Sequence, residues 1–469
     1  MAAQNKAAGR LTIKAIAALL LLAPFLVSPT YGQQNSSCVT TFDPTHDYFP
    51  DKSQVDGGAL FSITYNLNYK VVKNTSLNTT YILTQCGTPA PNATVIPPTN
   101  TTVFIQIPVT NLASLATTAV SYIEMLGKQA AIKAVDTEGL VSSPCVQSGL
   151  EKGTIVGLED TNSTLRAEQL KKYDVIFSSF GTEPGSENKT VITSEVEDPS
   201  PLNRAEWLEF YATFFNAEKA AQALTASINN NYNCFKSTAT TKATTKPVIA
   251  WAMYDAPSVY NNNTPSWILS GAPYKRILST DAGATFFNGT TASSFSTSAD
   301  FATAVQSVDI LIDESVAGST FDSFLQNYNL LTTTAPGTTL KFIQNKAVFR
   351  EDGLVNPNNG RDWFGGAVAM DDAVLQDLVR AVHPELFKIS QYNWIRNIAK
   401  NEPEQLLTSA NCTAADTTSP VPDRALSCAN LQAGGSGNGS NSAAASLNSL
   451  ASGVLMLTLG VFTTLAILF

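Results

Sequence analysis

The sequence predicts an α/β protein: two lobes with mostly parallel sheets, joined by one long helix and preceded by a small N-terminal β layer. Three observations predict it. Residues 58–72 alternate apolar and polar side chains, which places one face of a strand on a core. From Asn111 onward, short apolar runs alternate with helical segments, the order that builds a parallel sheet. Between Arg204 and Cys234, apolar residues recur at helical spacing and separate two such series.

In the first region Phe61, Ile63, Tyr65, Leu67, Tyr69 and Val71 share one side of a single predicted strand. Residues 81–85 and 103–109 read as two further strands, separated by a Pro- and Asn-rich loop at 88–100. Residues 112–116 form the next apolar strand. Thr117 and Thr118 can cap the helix that carries Val120, Ile123, Met125 and Leu126, and Gly127 stops it. Strand 131–135, helix 165–172 and strand 174–177 continue the alternation. The long helix holds Trp207, Phe210, Phe214, Ala221, Leu224 and Ile228 on one face, with Asn203 and Glu206 placed as a capping box. A Thr- and Lys-rich stretch at 237–246 is the expected hinge. Strands at 247–253, 310–313 and 347–350 and helices at 299–307 and 371–382 make up the second series.

The expected divisions are a leader (1–32), a β-rich extension (33–110), a first α/β lobe (111–202), the connecting helix (203–236), a second lobe (247–400), a stalk (401–440) and a terminal signal (441–469). Lys6, Arg10 and Lys14 precede an apolar run, and Thr30 and Gly32 are small enough for cleavage before Gln33. At the other end a Gly/Ser/Asn/Ala-rich spacer leads to the apolar run 454–469. That is the pattern of a glycosylphosphatidylinositol signal, with Asn441 the expected attachment residue. Eleven N-x-S/T sequons fit an extracellular, cell-surface glycoprotein, at Asn35, Asn74, Asn78, Asn92, Asn100, Asn162, Asn188, Asn262, Asn288, Asn411 and Asn438. Six cysteines suit an oxidising compartment and three disulfides. Spacing does not fix the pairing; the expected set is Cys38 with Cys86, Cys145 with Cys234 and Cys412 with Cys428.

The net charge of −9 argues against nucleic acid as a partner and against direct binding to anionic membranes. Membrane contact is expected through the lipid anchor alone, and a monomer is expected. With only His46 and His383 in the chain, a multi-histidine metal site is disfavoured, and no cofactor is called for. The sequence has no G-x-S-x-G, H-E-x-x-H or P-loop motif, so no catalytic residue is assigned and enzyme activity is not expected.

The order of motifs resembles a known family. TYILTQCGTP at Thr80–Pro89, KYDVIF at Lys172–Phe177, RAEWLEFYATFFNAEKAA at Arg204–Ala221, RDWFGGAVA at Arg361–Ala369 and VHPELF at Val382–Phe387 occur in sequence along the body. Together they resemble periplasmic substrate-binding proteins of the iron-siderophore and cobalamin type (class III, helical backbone), here in a eukaryotic GPI-anchored form. The resemblance implies two lobes gripping a small molecule, such as an iron chelate or a corrinoid, in the cleft between them. A structural or adhesive surface glycoprotein that reuses the fold without a ligand is the alternative. In open α/β sheets ligands sit beyond the carboxyl ends of the strands. That rule selects Thr117, Thr118, Asp136, Ser178 and Ser179 in the first lobe and Trp251, Tyr254, Asp313, Arg350 and Trp363 in the second. Threonine hydroxyls and free N–H groups at a helix start suit an anion, Trp251, Tyr254 and Tyr260 could stack on a flat ligand, and Arg350 could pair with a carboxylate. Glu314, next to Asp313, completes a carboxylate pair, though adjacent strand residues point apart.

Overall fold

The computed structural model describes residues 38–432 except 56–57, 93, 95, 97–98, 100, 137, 289–292, 332 and 414–418. The segments expected to be a leader and a GPI signal with Asn441, and the sequons at Asn35, Asn100 and Asn438, lie outside the described residues.

The chain begins with a four-stranded sheet of β1 (Phe61–Tyr65), β2 (Tyr69–Asn74), β3 (Thr79–Gln85) and β4 (Thr102–Ile107) in that order. The single strand expected at 58–72 is therefore two. β1 and β2 pair antiparallel across a tight turn, Phe61 opposite Asn74 and Tyr65 opposite Lys70. The turn flips the parity: Phe61, Ile63 and Tyr65 share a face with Lys70, Val72 and Asn74, so Tyr69 and Val71, expected on the Phe61 side, face the other way.

Next comes a five-stranded, wholly parallel sheet. It is built from β5 (Leu112–Ser114), α1 (Thr117–Met125), β6 (Ile132–Val135), α2 (Pro144–Glu151), β7 (Val156–Gly157), α3 (Ser163–Leu170), β8 (Val175–Ser178) and β9 (Thr190–Ile192). The strand order is β7-β6-β5-β8-β9. β5 and β8 are buried on both faces, as central parallel strands with helices above and below must be.

The expected single long helix is two helices: α4 (Pro201–Thr213) and α5 (Glu218–Lys242). The break falls at 214–217, where Asn216 has φ +52°. A buried lysine from β2 occupies it. Lys70 Nζ donates to Thr213 O (2.8 Å) and Asn216 Oδ1 (2.8 Å), and also to Glu218 in the first turn of α5. A cation against the last carbonyls of one helix and the first acid of the next satisfies both ends at once. The capping box expected at Asn203 and Glu206 is absent: Pro201 opens α4 after Ser200, and α4 is buried along almost its whole length. Its aromatic face meets the N-terminal sheet, with Phe61 and Trp207 ring centroids 5.0 Å apart and Tyr81 and Phe210 6.1 Å apart. The stretch expected as a hinge is largely helical, because α5 continues to Lys242.

A seven-stranded mixed sheet follows, starting with β10 (Val248–Asp255), β11 (Ser266–Leu269), α6 (Pro273–Asp281), β12 (Thr285–Phe286) and β13 (Ser294–Phe295). α7 (Ser298–Ala304), β14 (Ile310–Asp313), α8 (Phe321–Asn327), α9 (Lys341–Gln344) and β15 (Val348–Arg350) continue it. After β16 (Leu354–Val355) and α10 (Asp371–Val382), β17 (Arg396–Asn397) closes the edge. The path is β13-β11-β10-β14-β15-β17, with β12 alongside β10; β10, β12, β14 and β15 are parallel. β18 (Gln405–Leu406) pairs with β16 in a small separate ladder, and α11 (Cys428–Gln432) ends the described chain.

Two of the expected disulfide pairs are wrong. Cys145 is joined to Cys412 and Cys234 to Cys428; Cys38 and Cys86 are also disulfide-bonded. Cys145 and Cys234 cannot pair because one opens α2 beside the first sheet while the other lies midway along α5. The segment after residue 400 reaches both.

Asn74 is corrected as a glycan acceptor. It is fully buried, and its Nδ2, the atom a glycan would need, donates to Ile192 O (3.1 Å) and Ser194 Oγ (2.8 Å). Asn78, Asn92, Asn162, Asn188, Asn262, Asn288 and Asn411 are exposed. Enzymatic glycan release in heavy-oxygen water, followed by peptide mapping, will label acceptors among these seven but leave Asn74 unlabelled. A labelled Asn74 overturns the assignment.

Candidate ligand site between the two sheets

The carboxyl ends of the strands carry most of the residues selected from the sequence, but the structure gives many of them internal partners. At the start of α1 the N-cap is Ala116, with no side-chain cap bond. Thr117 Oγ1 instead donates to Phe364 O (3.3 Å), across to the seven-stranded side, and Thr118 Oγ1 donates to the buried carboxylate of Glu195. Asp136 is held by Arg166 through two hydrogen bonds (2.9 and 3.1 Å), and Arg166 also grips Glu183. Ser178 is buried, its Oγ accepting from Phe180 N (3.1 Å); Ser179 is half-buried, 3.5 Å from Thr193 Oγ1.

On the second sheet the corrections are larger. Asp313 and Arg350 form the heart of a buried ion cluster rather than a ligand contact. Arg350 donates to Asp313, to Asp352 Oδ2 (2.8 Å) and to Ser315 O (2.8 Å), while Asp313 also accepts from Tyr328 OH (3.0 Å). Trp251 is 1% exposed; its indole N–H donates to Ser279 Oγ (3.1 Å). Tyr254 packs on Trp267 and Tyr328, at 5.5 and 6.4 Å between centroids. Tyr260 is 97% exposed on a loop that also carries Asn262. Glu314 does point away from Asp313, and its carboxylate meets Lys275 instead. His46 sits edge-on to Tyr48 (4.7 Å), and His383 is buried, contacting Gly283 O (3.3 Å) and Glu385 (3.2 Å).

What the fold does bring together is a cavity of about 190 Å³ between the sheets. Thr118 and Val196 line it from the five-stranded side, Arg204 from α4, and Tyr274, Trp363 and Phe364 from the seven-stranded side. Arg204 stacks 3.7 Å over the Tyr274 ring, held there by bonds to Asp198 O (2.9 Å) and Val196 O (2.6 Å). Trp363 lies 6.0 Å from Trp251 between centroids. Beside this wall runs a line of charges. Lys275 pairs with Glu314 and sits 5.3 Å over the Trp251 ring, and Arg361 contacts Glu351 (3.4 Å) and the carbonyl of Ser315.

Burial pushes the Glu351 carboxyl well above its ordinary range, and the neighbouring Glu314 charge adds to the effect. Burial also pulls Lys275 down, but the Glu314 carboxylate more than offsets it, so Lys275 remains charged. Lys275, Arg361 and the cavity-lining Arg204 bring cationic groups to this region, which suits an anionic group. Phe364, which lines the cavity, is 58% exposed; Phe180 after β8 (91%) and Val316 after β14 (84%) are further exposed apolar residues at strand ends. Of the residues selected from the sequence, Thr118 and Trp363 line the cavity. Arg204, Tyr274, Lys275 and Arg361 were missed as site residues. Arg204 and Arg361 open two of the quoted motifs, a signal that pointed to both; Tyr274 and Lys275 lie in a helix that carries no such signal.

No family model matches the sequence. An uncharacterized lipoprotein of Methanocaldococcus jannaschii is 26% identical over 205 residues, 42% of this chain and 43% of the relative's own length. Similar solved structures are periplasmic binding proteins and their kin. Helicobacter pylori CeuE with Ni(II) bound is 15% identical, over 61% of this chain and 87% of that one, with a TM-score of 0.42. A periplasmic heme-binding protein of Pseudomonas aeruginosa is 13% identical over 59% and 93%, with a TM-score of 0.40. An ABC-type Fe3+-hydroxamate transport system of Saccharomonospora viridis is 14% identical over 59% and 94%, with a TM-score of 0.41.

Proposed function

We propose that this chain is an extracellular, GPI-anchored solute-binding protein that captures a small molecule between two α/β lobes, 111–202 and 247–400. The observation that carries the reading is the cavity between the sheets, lined by Thr118, Arg204, Tyr274, Trp363 and Phe364, with Lys275 next to Tyr274 on α6. Cations beside exposed aromatic and aliphatic surface suit an anionic ligand with an apolar face, such as an iron chelate or a corrinoid. The enclosed volume of about 190 Å³ lies below the roughly 300 Å³ at which drug-sized pockets begin. A ligand of chelate size therefore places one arm in the cavity and rests its body on the rim. The leader, sequons and C-terminal apolar run support the cell-surface setting.

The test is a thermal-shift and tryptophan-fluorescence screen of residues 33–440 after deglycosylation, against ferric hydroxamates, ferric catecholates, haem and cobalamin. A ligand at a hundred times its Kd stabilises the body by about 2.7 kcal/mol and quenches Trp363. Trp363→Ala weakens that ligand at least tenfold. No response to any member of the panel, by either readout, overturns the reading.

A further inference from the structure

The chain does not end at the edge of the second sheet. After β18 it crosses to the first: Leu407 O accepts from Gln147 Nε2 (3.2 Å), and Cys412 is bonded to Cys145 at the start of α2. Ser419 O then accepts from Gln129 Nε2 (2.8 Å), and Val421 N donates to Glu124 O (2.9 Å) at the end of α1. Pro420 fits so closely over Gly127 that a Cβ there would lie 3.0 Å from its ring. The chain next returns to α5 and α10. Leu426 O accepts from Asn231 Nδ2 (3.0 Å), Leu426 N donates to Gln376 Oε1 (2.6 Å), and Cys428 is bonded to Cys234. One segment thus touches the first sheet's helices, the connecting helix and the second sheet's last long helix, with a covalent bond at two of the three.

Below it the two sides meet directly. Ser142 Oγ donates to Asp362 Oδ1 (2.6 Å), Asn356 Nδ2 donates to Gly139 O (2.8 Å) and Val141 O (3.0 Å), and Tyr122 OH donates to Val368 O (3.1 Å). The seam also continues one apolar cluster from Tyr122 and Ile123 to Val368 and Val374.

We infer that residues 407–413 and 419–432 act as a clasp that fixes the separation of the two sheets, so that a ligand enters a preset groove instead of being enclosed by hinge closure. Relative motion is the ordinary expectation for two lobes joined by a small polar contact. Here the contact combines hydrogen bonds with a continuous apolar cluster and is covalently bridged through the C-terminal segment. The Cys145–Cys412 bond closes a 267-residue separation, so it spans everything between the first sheet's α2 and the segment beyond the second sheet. This inference is independent of the ligand: it holds even if the cavity binds nothing.

The experiment is pulsed electron–electron distance measurement on the secreted, glycosylated protein. Labels go through a genetically encoded ketone side chain at Lys172, exposed beside the first sheet, and Gln344, exposed beside the second. The parent gives one narrow distance peak. Cys145→Ser with Cys412→Ser broadens it at least twofold. Where that variant is not secreted, mild dithiothreitol reduction of the folded parent, with the opened bond mapped by mass spectrometry, provides the same comparison. A parent distribution that is already broad or two-peaked, or a peak that stays narrow once the bond is open, overturns the clasp.

Discussion

Arg350→Ala will lower folding stability by about 3–5 kcal/mol, the usual consequence of removing one partner from a buried ion pair. Arg350 is 2% exposed and donates to Asp313, Asp352 and Ser315 O. Its removal leaves Asp313 with the Tyr328 and Ser315 hydroxyls and the Ser315 N–H as donors but no cation, and leaves Asp352 to Arg396 (2.6 Å). Arg350→Lys restores only part of the loss. A lysine ammonium is a point charge and cannot reach Asp313, Asp352 and the Ser315 carbonyl from one position as the planar guanidinium does. Denaturant unfolding followed by tryptophan fluorescence measures both variants. A ligand-binding role predicts the opposite pattern, with weakened ligand and stability unchanged. A loss below about 1 kcal/mol for the alanine variant, the range of exposed pairs, would show that the cluster contributes little.

That residue also marks the limit of what the sequence reveals. The strand ending at Arg350 was legible from its apolar run, and the rule that ligands sit beyond carboxyl ends selected the arginine itself. Nothing local to residues 348–352 says that Asp313, 37 positions earlier, and Arg396, 44 beyond Asp352, would close around it. Long periodic elements fared better. α10 spans Asp371–Val382 and β14 spans Ile310–Asp313, the limits expected from their apolar spacing, because each buries a face set by local periodicity. The run from Arg204 to Cys234 failed for the converse reason. Helical spacing continues straight through 214–217, and the break is imposed by Lys70, a residue from another sheet that the period does not encode. The clasp was read as a stalk, since a Pro- and polar-rich segment with no period gives no sign that its cysteines belong to helices near residues 145 and 234. Trp363 and Thr118 were found in the site; Tyr274 and Lys275 lie on α6, a segment for which the sequence pattern yielded no element.

Stability will fall as pH rises from about 4.5 to about 7, and buried carboxyls set the sign. Burial raises Glu209 to about 7 and Asp377 to about 6, the latter despite N–H bonds from Asn393, Trp394 and Ile395. Burial also lifts Glu195, Asp371, Asp372 and Asp423. A carboxyl whose folded pKa exceeds its unfolded value binds its proton more tightly when folded. Its contribution is complete below the unfolded pKa and disappears as pH climbs through the folded one. For Glu209, 3% exposed and hydrogen-bonded by Ser53, moving from 4.5 to about 7 corresponds to about 3 kcal/mol. Asp352 and Glu402 are shifted the other way: their arginine hydrogen bonds and charges outweigh burial, so their contribution is lost only in stronger acid and does not oppose the trend in this window. The melting temperature of the secreted protein is therefore higher at pH 5 than at pH 8. Glu209→Gln, which keeps an acceptor for Ser53 but cannot ionise, flattens the slope between pH 4.5 and 7 and leaves the acid limb in place. A melting temperature equal or higher at pH 8, or a Glu209→Gln slope identical to the parent's, would remove Glu209 as the source of the pH dependence and with it the claim that burial on α4 raises this carboxyl.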